Sequence, residues 1–327
     1  MPTAAQLDRV ERSNRLREER RGARRGEPER SLLAISDLSP AEFRALIEGG
    51  LAVKRDPGTL ATALAGRAVG LLFQKTSTRT RCSFEVGVGQ MGGQALYLDW
   101  RTTNFTLGHL EDEARVLSRY FDLIMARVYK HQDLVTMKAA SEVPIINGLC
   151  DLHHPCQALA DYMTALEFFG ELEGLRIAYV GDGNNVSHSL IEGAVRAGME
   201  IAVAHPPAYA PREEVVAAAR KLGRVTLTSD PREAVAGADV VYTDTWVSMG
   251  DEAQKQERLA AFAGFQVGEA LMAAAPDHAL VMHCLPAHRG YEISSEVLDS
   301  ANSVVFDQAE NRLHVQKYLM AWMLEAV

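Results

Sequence analysis

The sequence predicts an α/β chain with two doubly wound parallel-sheet domains joined by a long helix. Three observations carry this reading. Its 327 residues exceed one ordinary core and fit about two domains of ~150 residues. Short apolar runs bounded by turn residues alternate with segments of helical spacing, as expected of strands covered on both faces by helices. One long helical segment, 154–169, stands between two such series of strands. The composition, 47% hydrophobic and 24% charged, is that of a globular chain and excludes disordered, collagen-like and coiled-coil classes.

Residues 1–31 hold few large apolar side chains but nine Arg and six Asp/Glu, and read as a mobile or weakly helical tail. Order begins near Leu32. Ser39 is placed as an N-cap, Pro40 at the first helical position and Glu42 as the partner in a capping box. Phe43, Leu46, Ile47 and Leu51 then follow helical spacing. The chain alternates from there: strand 68–73, helix 77–91, strand 95–98, helix 111–121, strands 123–127 and 143–147, and helix 154–169. Strand 176–180 and helix 186–197 follow, then strands 201–204, 225–228, 240–243 and 280–283. Residues 311–324 read as a last amphipathic helix. The expected division is a tail over 1–31, a first domain over 32–165 completed by 309–327, and a second domain over 166–308.

The net charge of −9 is a poor start for a nucleic-acid binder, and an anionic ligand needs a local basic pocket against the global field. No apolar run approaches the ~18–20 residues of a membrane span. The first residues lack the apolar stretch of a secretory signal, and their acidic residues argue against a transit peptide. Cys82, Cys150, Cys156 and Cys284 are scattered without a CxxC pair. The expected compartment is therefore reducing, and the expected location cytoplasmic.

Five segments carry residues suited to chemistry. Lys75-Thr76-Ser77-Thr78-Arg79-Thr80-Arg81 lies between a buried strand and a helix start, where free N–H groups, hydroxyls and cations can hold a phosphate. His154-Pro155-Cys156-Gln157 opens the long helix with His154 and Gln157 on one face, able to polarise a carbonyl and to accept from an amide NH2. Gly181-Asp182-Gly183-Asn184-Asn185 resembles half a dinucleotide fingerprint. Val186 replaces the third glycine, however, and no acidic residue ends the next strand, so a polar ligand is expected instead of a nicotinamide. Asp244-Thr245-Trp246-Val247-Ser248-Met249-Gly250 puts a carboxylate at a strand end, suited to an ammonium group, before a loop able to close. His283-Cys284-Leu285-Pro286 offers zinc-type ligands, but the residue before Pro286 is held extended. A thiol and backbone carbonyls facing a cleft fit better than a metal.

Together these segments resemble the aspartate/ornithine carbamoyltransferase family, from about Leu32 to Leu324. The STRTR, HPxQxLxD and HCLP runs are shared across the family, and Asp-x-Trp-Val-Ser-Met-Gly looks like its ornithine branch. The resemblance implies an active site in the interdomain cleft, where a carbamoyl group passes from carbamoyl phosphate to the side-chain amine of L-ornithine. Citrulline and phosphate are the implied products. By motif position, Ser77, Thr78, Arg79 and Thr80 hold the phosphate, and Arg127 bridges phosphate and carbonyl oxygen. His154 bonds that oxygen, Gln157 and the backbone of Cys284 and Leu285 take the NH2, and Arg312 completes the anion pocket. Arg127, His154, Cys284 and Arg312 are thus the implied catalytic set. Asn185, Asp244, Ser248 and Met249 hold ornithine. The resemblance also implies a homotrimer with shared active sites, no metal or organic cofactor, and no nucleic-acid or membrane partner.

One segment departs from the family. Leu107-Gly108-His109-Leu110-Glu111-Asp112-Glu113 is shorter than usual, and Thr106 stands where the family often has Gln or His. In the family this loop reaches a neighbouring subunit's site. The departure raises a second expectation, a different acceptor amine, with Trp100 and Arg101 as residues that reshape the acceptor pocket.

Overall fold

The computed structural model describes residues 8–16, 30–103, 105, 107–247 and 252–327. Thr106, Ser248 and Met249 lie outside the described residues. Within the tail, 8–16 is helical and exposed.

The first sheet contains β1 (Ala68–Phe73), β2 (Gln94–Asp99), β3 (Leu123–Arg127) and β4 (Ile145–Leu149), in the order β2-β1-β3-β4. The second contains β5 (Arg176–Val180), β6 (Glu200–Ala204), β7 (Val225–Thr228), β8 (Val240–Thr243) and β9 (Leu280–His283), in the order β7-β6-β5-β8-β9. Every pairing is parallel. The strand order reverses beside β1 in the first sheet and beside β5 in the second. In such sheets ligands bind outside the carboxyl ends of the strands at those reversal points.

Successive strand residues face opposite sides of a sheet, and this alternation sorts the core. Val69, Leu71, Leu123 and Met125 join Ile177, Tyr179, Val240 and Tyr242 in one central cluster spanning both sheets. Their neighbours face outward into two separate clusters, Leu72, Ile124 and Ala126 in one and Ala178, Val180 and Val241 in the other. The joining helix Pro155–Phe169 runs through the central cluster with residues 155–166 all buried, and Gly170, at φ +79, ends it. The helix Pro40–Arg55 starts with the Ser39–Glu42 capping box and buries Phe43, Leu46, Ile47 and Leu51.

The terminal helix Val305–Met323 packs on Pro40–Arg55, on the joining helix and on Thr78–Gln90. Close approach requires a glycine there: a Cβ on Gly49 would stand 2.2 Å from the Tyr318 ring. The packing carries Arg312 back to the ends of β1 and β3.

Several boundaries moved. The fourth strand spans Ile145–Leu149 instead of 143–147; Pro144 has no N–H to donate and only accepts, from Ile124 N–H at 3.0 Å. The helix expected over 111–121 ends at Leu117. The last helix begins at Val305, six residues before the expected start at 311. The helix His131–Ala140 was not expected; it buries only Leu134 and Met137, too few for a period. Among the described residues, no helix is long and apolar enough to cross a membrane.

Candidate active site

Both reversal points open onto one cleft of about 490 Å³, lined from the first sheet's side by residues 75–80, Arg127, His154, Gln157 and Arg312. From the second side it is lined by Asn185, Asp244, Cys284 and Leu285. Every described residue assigned to a substrate by motif position therefore lines one cleft.

The basic end is built on β1 and β3. After Phe73 the Gln74 side chain fastens the turn, accepting from Tyr129 N–H at 2.7 Å and donating to Asp133 at 3.2 Å. Ser77 caps the helix Thr78–Gln90 by accepting from Thr80 N–H. Thr78, Arg79 and Thr80 at this helix start line the cleft, where unpaired N–H groups and the helix dipole favour an anion. Arg127, the last residue of β3, donates to Thr80 Oγ1 at 3.5 Å, and Arg312 donates to the same oxygen at 3.0 Å. Arg79 reaches across the cleft to the Leu285 carbonyl at 2.8 Å.

The electrostatics suit an anionic ligand. Arg127 and Arg312 are 5% and 3% exposed, and the Nε atom of each is buried with no partner. Among the described residues neither has a carboxylate in ion-pair range. Burial, then the neighbouring Arg312 and Arg79, pull Arg127 down to about 9. Burial likewise lowers Arg312. His154 is held far below its ordinary value by burial and by all three arginines, so it is a neutral imidazole whose Nδ1 is unpartnered. Buried like charges of this kind are tolerable only with a counter-ion to hand.

Gln157 sits one turn into the joining helix, accepting from Arg312 and donating to Asp161 at 2.8 Å. Burial pushes the Asp161 carboxyl up to about 7, against hydrogen bonds from Gln157, Gln308 and Tyr242 that lower it.

The polar end is built on β5, β8 and β9. Asn184 caps the helix Asn185–Ala197 with its carbonyl and donates from its NH2 to Asp244 at 2.8 Å. Asn185 donates to the Cys150 carbonyl at 2.6 Å. The Cys284 thiol donates to Asp244 at 2.9 Å; burial and that carboxylate keep it protonated, well above the usual thiol range. Asp182 pairs with Arg258 at 2.7 Å, and Arg258 also donates to the Trp246 carbonyl, which holds the start of the 245–250 segment.

Asp244, His283 and Cys284 bring one ligand atom each within 4.8 Å of one another. These atoms are already used. Nδ1 of His283 accepts from Leu285 N–H at 2.8 Å, so its proton sits on Nε2, facing Glu292 at 3.2 Å. The thiol keeps its proton and donates it to Asp244 in a hydrogen bond. These are separate hydrogen bonds on either side of the Leu285 turn, where φ is +56.

The glycine turn also has a structural explanation. A Cβ on Gly183 would stand 2.2 Å from the Pro211 nitrogen, so this glycine admits the 210–211 backbone and not a pyrophosphate. Trp100 and Arg101 stand away from the cleft of their own chain. Trp100 stacks on Phe105 at 4.7 Å, Arg101 pairs with Asp99 at 2.6 Å, and neither lines the cleft.

Residues 30–167 match the carbamoyl-P binding domain of the aspartate/ornithine carbamoyltransferases, and residues 173–323 match their Asp/Orn binding domain. The chain belongs to the aspartate/ornithine carbamoyltransferase family. It is 48% identical over 299 residues to the ornithine carbamoyltransferase of Methanoculleus marisnigri, covering 90% of this chain and 97% of that one. It is 47% identical to that of Pyrococcus abyssi, covering 91% and 96%. The solved ornithine carbamoyltransferase of Pyrococcus furiosus superposes with a TM-score of 0.86 at 45% identity, covering 92% and 99%. Membership gives the two parallel-sheet domains and the cleft between them a common purpose, the meeting of two substrates.

Sequence reasoning missed the residues that act behind this carbamoyltransferase site. Asn184 was read together with Asn185, yet only Asn184 holds Asp244. Asp161 ends the HPxQxLxD run, which by itself assigns it no role. Gln308 lies in a segment read as non-helical, and no local signal marks it.

Proposed function

We propose that the chain transfers the carbamoyl group of carbamoyl phosphate to the side-chain amine of L-ornithine, giving L-citrulline and phosphate. One observation carries the reading: Arg79, Arg127 and Arg312 converge on a helix start beside a neutral His154, opposite a carboxylate and an amide. The relatives' names agree with it.

In this reading the phosphate lies over Ser77, Thr78, Arg79 and Thr80, and Arg127 spans phosphate and carbonyl oxygen. Arg312 closes the anion pocket. His154 donates to the carbonyl oxygen as negative charge builds there, and the arginines stabilise that charge and the departing phosphate. The Gln157 carbonyl accepts from the carbamoyl NH2, as do the backbone carbonyls of Cys284 and Leu285; the Leu285 oxygen has a second lone pair beside its Arg79 bond. Asp244 takes the ornithine α-ammonium and Asn185 its carboxylate, with Ser248 and Met249 assigned to the same groups from sequence.

The amine attacks directly, without a protein nucleophile. It must be neutral, and from a Lys-like pKa of ~10.4 that costs about 4.6 kcal/mol at pH 7. A desolvated cleft crowded with guanidinium groups lowers this cost. Holding both substrates in one cleft supplies a further large part of the acceleration.

We also propose a homotrimer working in the cytoplasm. Val86, Leu96, Val116, Tyr120 and Tyr129, all in the first domain, expose large apolar side chains, and the four unpaired thiols suit a reducing compartment. Light scattering of the purified chain tests the assembly.

The activity is tested by citrulline formation with L-ornithine, run beside lysine, putrescine, N-acetylornithine and aspartate. Turnover confined to ornithine is the expected result. Turnover of another amine in its place overturns the acceptor assignment and leaves the phosphate half standing.

A further inference from the structure

We propose that Asp161 is a positioning residue for the transfer reaction, fixing the Gln157 side chain so that its carbonyl oxygen faces the substrate. The inference rests on the reading above, in which that oxygen accepts from the carbamoyl NH2.

Asp161 lies one turn after Gln157 on the joining helix and is 2% exposed. Its Oδ1 accepts from Gln157 Nε2 at 2.8 Å and from Gln308 Nε2 at 2.6 Å, and its Oδ2 accepts from the Tyr242 hydroxyl at 3.2 Å. At the other end of the Gln157 amide, Oε1 accepts from Arg312. A guanidinium has no acceptor and a carboxylate has no donor. The two ends therefore agree on one orientation, although the oxygen and nitrogen of an amide are nearly the same size. Turning the amide over would set NH2 against a guanidinium and oxygen against a carboxylate, losing two charge-assisted bonds at once.

The same carboxylate sets a second amide. Gln308 is fully buried, and its Oε1 accepts from the His283 backbone N–H at 2.9 Å. His283 ends β9, directly before Cys284 and Leu285. One buried carboxylate thus orients Gln157 on one wall of the cleft and, through Gln308, holds the strand that carries the opposite wall. A recognition site for R–CO–NH2 needs an acceptor at the NH2 position. An unfixed amide would offer a donor there part of the time, and a donor facing a donor leaves both unpaired.

The test uses two stable phosphonates that differ at that position, phosphonoacetamide, which has an NH2, and 2-oxopropylphosphonate, which has a methyl group. Affinities are measured by calorimetry on the full chain at pH 8, where Asp161 is ionised. The wild-type protein is expected to prefer the amide about tenfold or more. In Asp161→Asn the new NH2 can face Gln157 and turn it over, and the preference is expected to fall about tenfold, to near unity. Loss common to both probes reads the share carried by Gln308; the ratio reads Gln157.

Gln157→Glu combined with Asp161→Asn presents acceptors at both oxygens of residue 157 and is expected to regain the amide preference. If Asp161→Asn does not fold, Asp161→Ala carries the same ratio. Equal weakening of both probes, with the preference intact, overturns the inference and leaves the Gln157 assignment standing. A wild-type protein without amide preference overturns both.

Discussion

Arg127→Met separates what the basic pocket does to the fold from what it does to the ligand. Arg127 is 5% exposed, its Nε is unpartnered, and its bond to Thr80 is long, at 3.5 Å. Burial and two neighbouring arginines hold it down at about 9. Held that far below a free guanidinium, at 1.36 kcal/mol per pKa unit, the charged form costs on the order of 4–5 kcal/mol in this pocket. From about 9 up to the free guanidinium value the unfolded chain keeps a proton that the folded chain has released, so stability rises with pH across that window. At neutral pH the folded state bears the whole penalty.

Methionine keeps the packing of the stem and removes the charge. After relaxation of the site, the ligand-free variant is expected to gain ~1–3 kcal/mol, which raises Tm by several degrees at ~2–4 °C per kcal/mol. Inorganic phosphate at 100 times its Kd stabilises the wild type by about 2.7 kcal/mol, and most of that shift should vanish in the variant. Citrulline formation should fall by ~10²–10³ in kcat/KM. Calorimetry at pH 7.5 with and without phosphate, beside the turnover assay, reads all three. A ligand-free variant less stable than the wild type would refute the repulsion argument. An undiminished phosphate shift would refute the anion pocket.

Three more predictions follow from buried groups. Burial pushes Glu192 up to about 7, so the stability it gives is present below ~4.3 and lost as pH rises through about 7; Glu192→Gln should outlast the wild type in urea at pH 8 but not at pH 4. A difference that does not grow with pH would contradict this. Gln316 is fully buried with neither amide atom partnered among the described residues, and Gln316→Met should stabilise the protein by about 1 kcal/mol, whereas a lower urea midpoint would show a missed partner. Cys284→Ser keeps a donor for Asp244 and should retain turnover within about tenfold with an unchanged pH profile from 7 to 9. A thousandfold loss would mean that a thiolate takes part.

The sequence carried the site better than the scaffold behind it, for a physical reason. Residues that touch a small dianion must come as hydroxyls and cations at a helix start, and such a cluster is local: Ser77 to Arg81 is five consecutive positions. His154 and Gln157 need one helical turn, also local. The strands were legible for a similar reason. Runs such as 69–73 and 177–180 are buried on both faces, so they are apolar throughout and cannot pass for an amphipathic helix.

What stayed hidden is non-local. Asp161, Gln308 and Tyr242 are separated by up to 147 positions and become one network only when the terminal helix folds back across the joining helix. No period or spacing encodes that meeting. The glycine turn shows the converse case: Gly181 and Gly183 form a local pattern with a known use, but the 210–211 backbone needs the same bare position. Local patterns therefore identify groups that must act together on one ligand. The groups that hold them in place are recruited from wherever the fold brings a complementary donor or acceptor. A substitution scan should show this division, with losses at Ser77–Arg81 appearing in ligand affinity and losses at Gln308 and Tyr242 appearing first in stability.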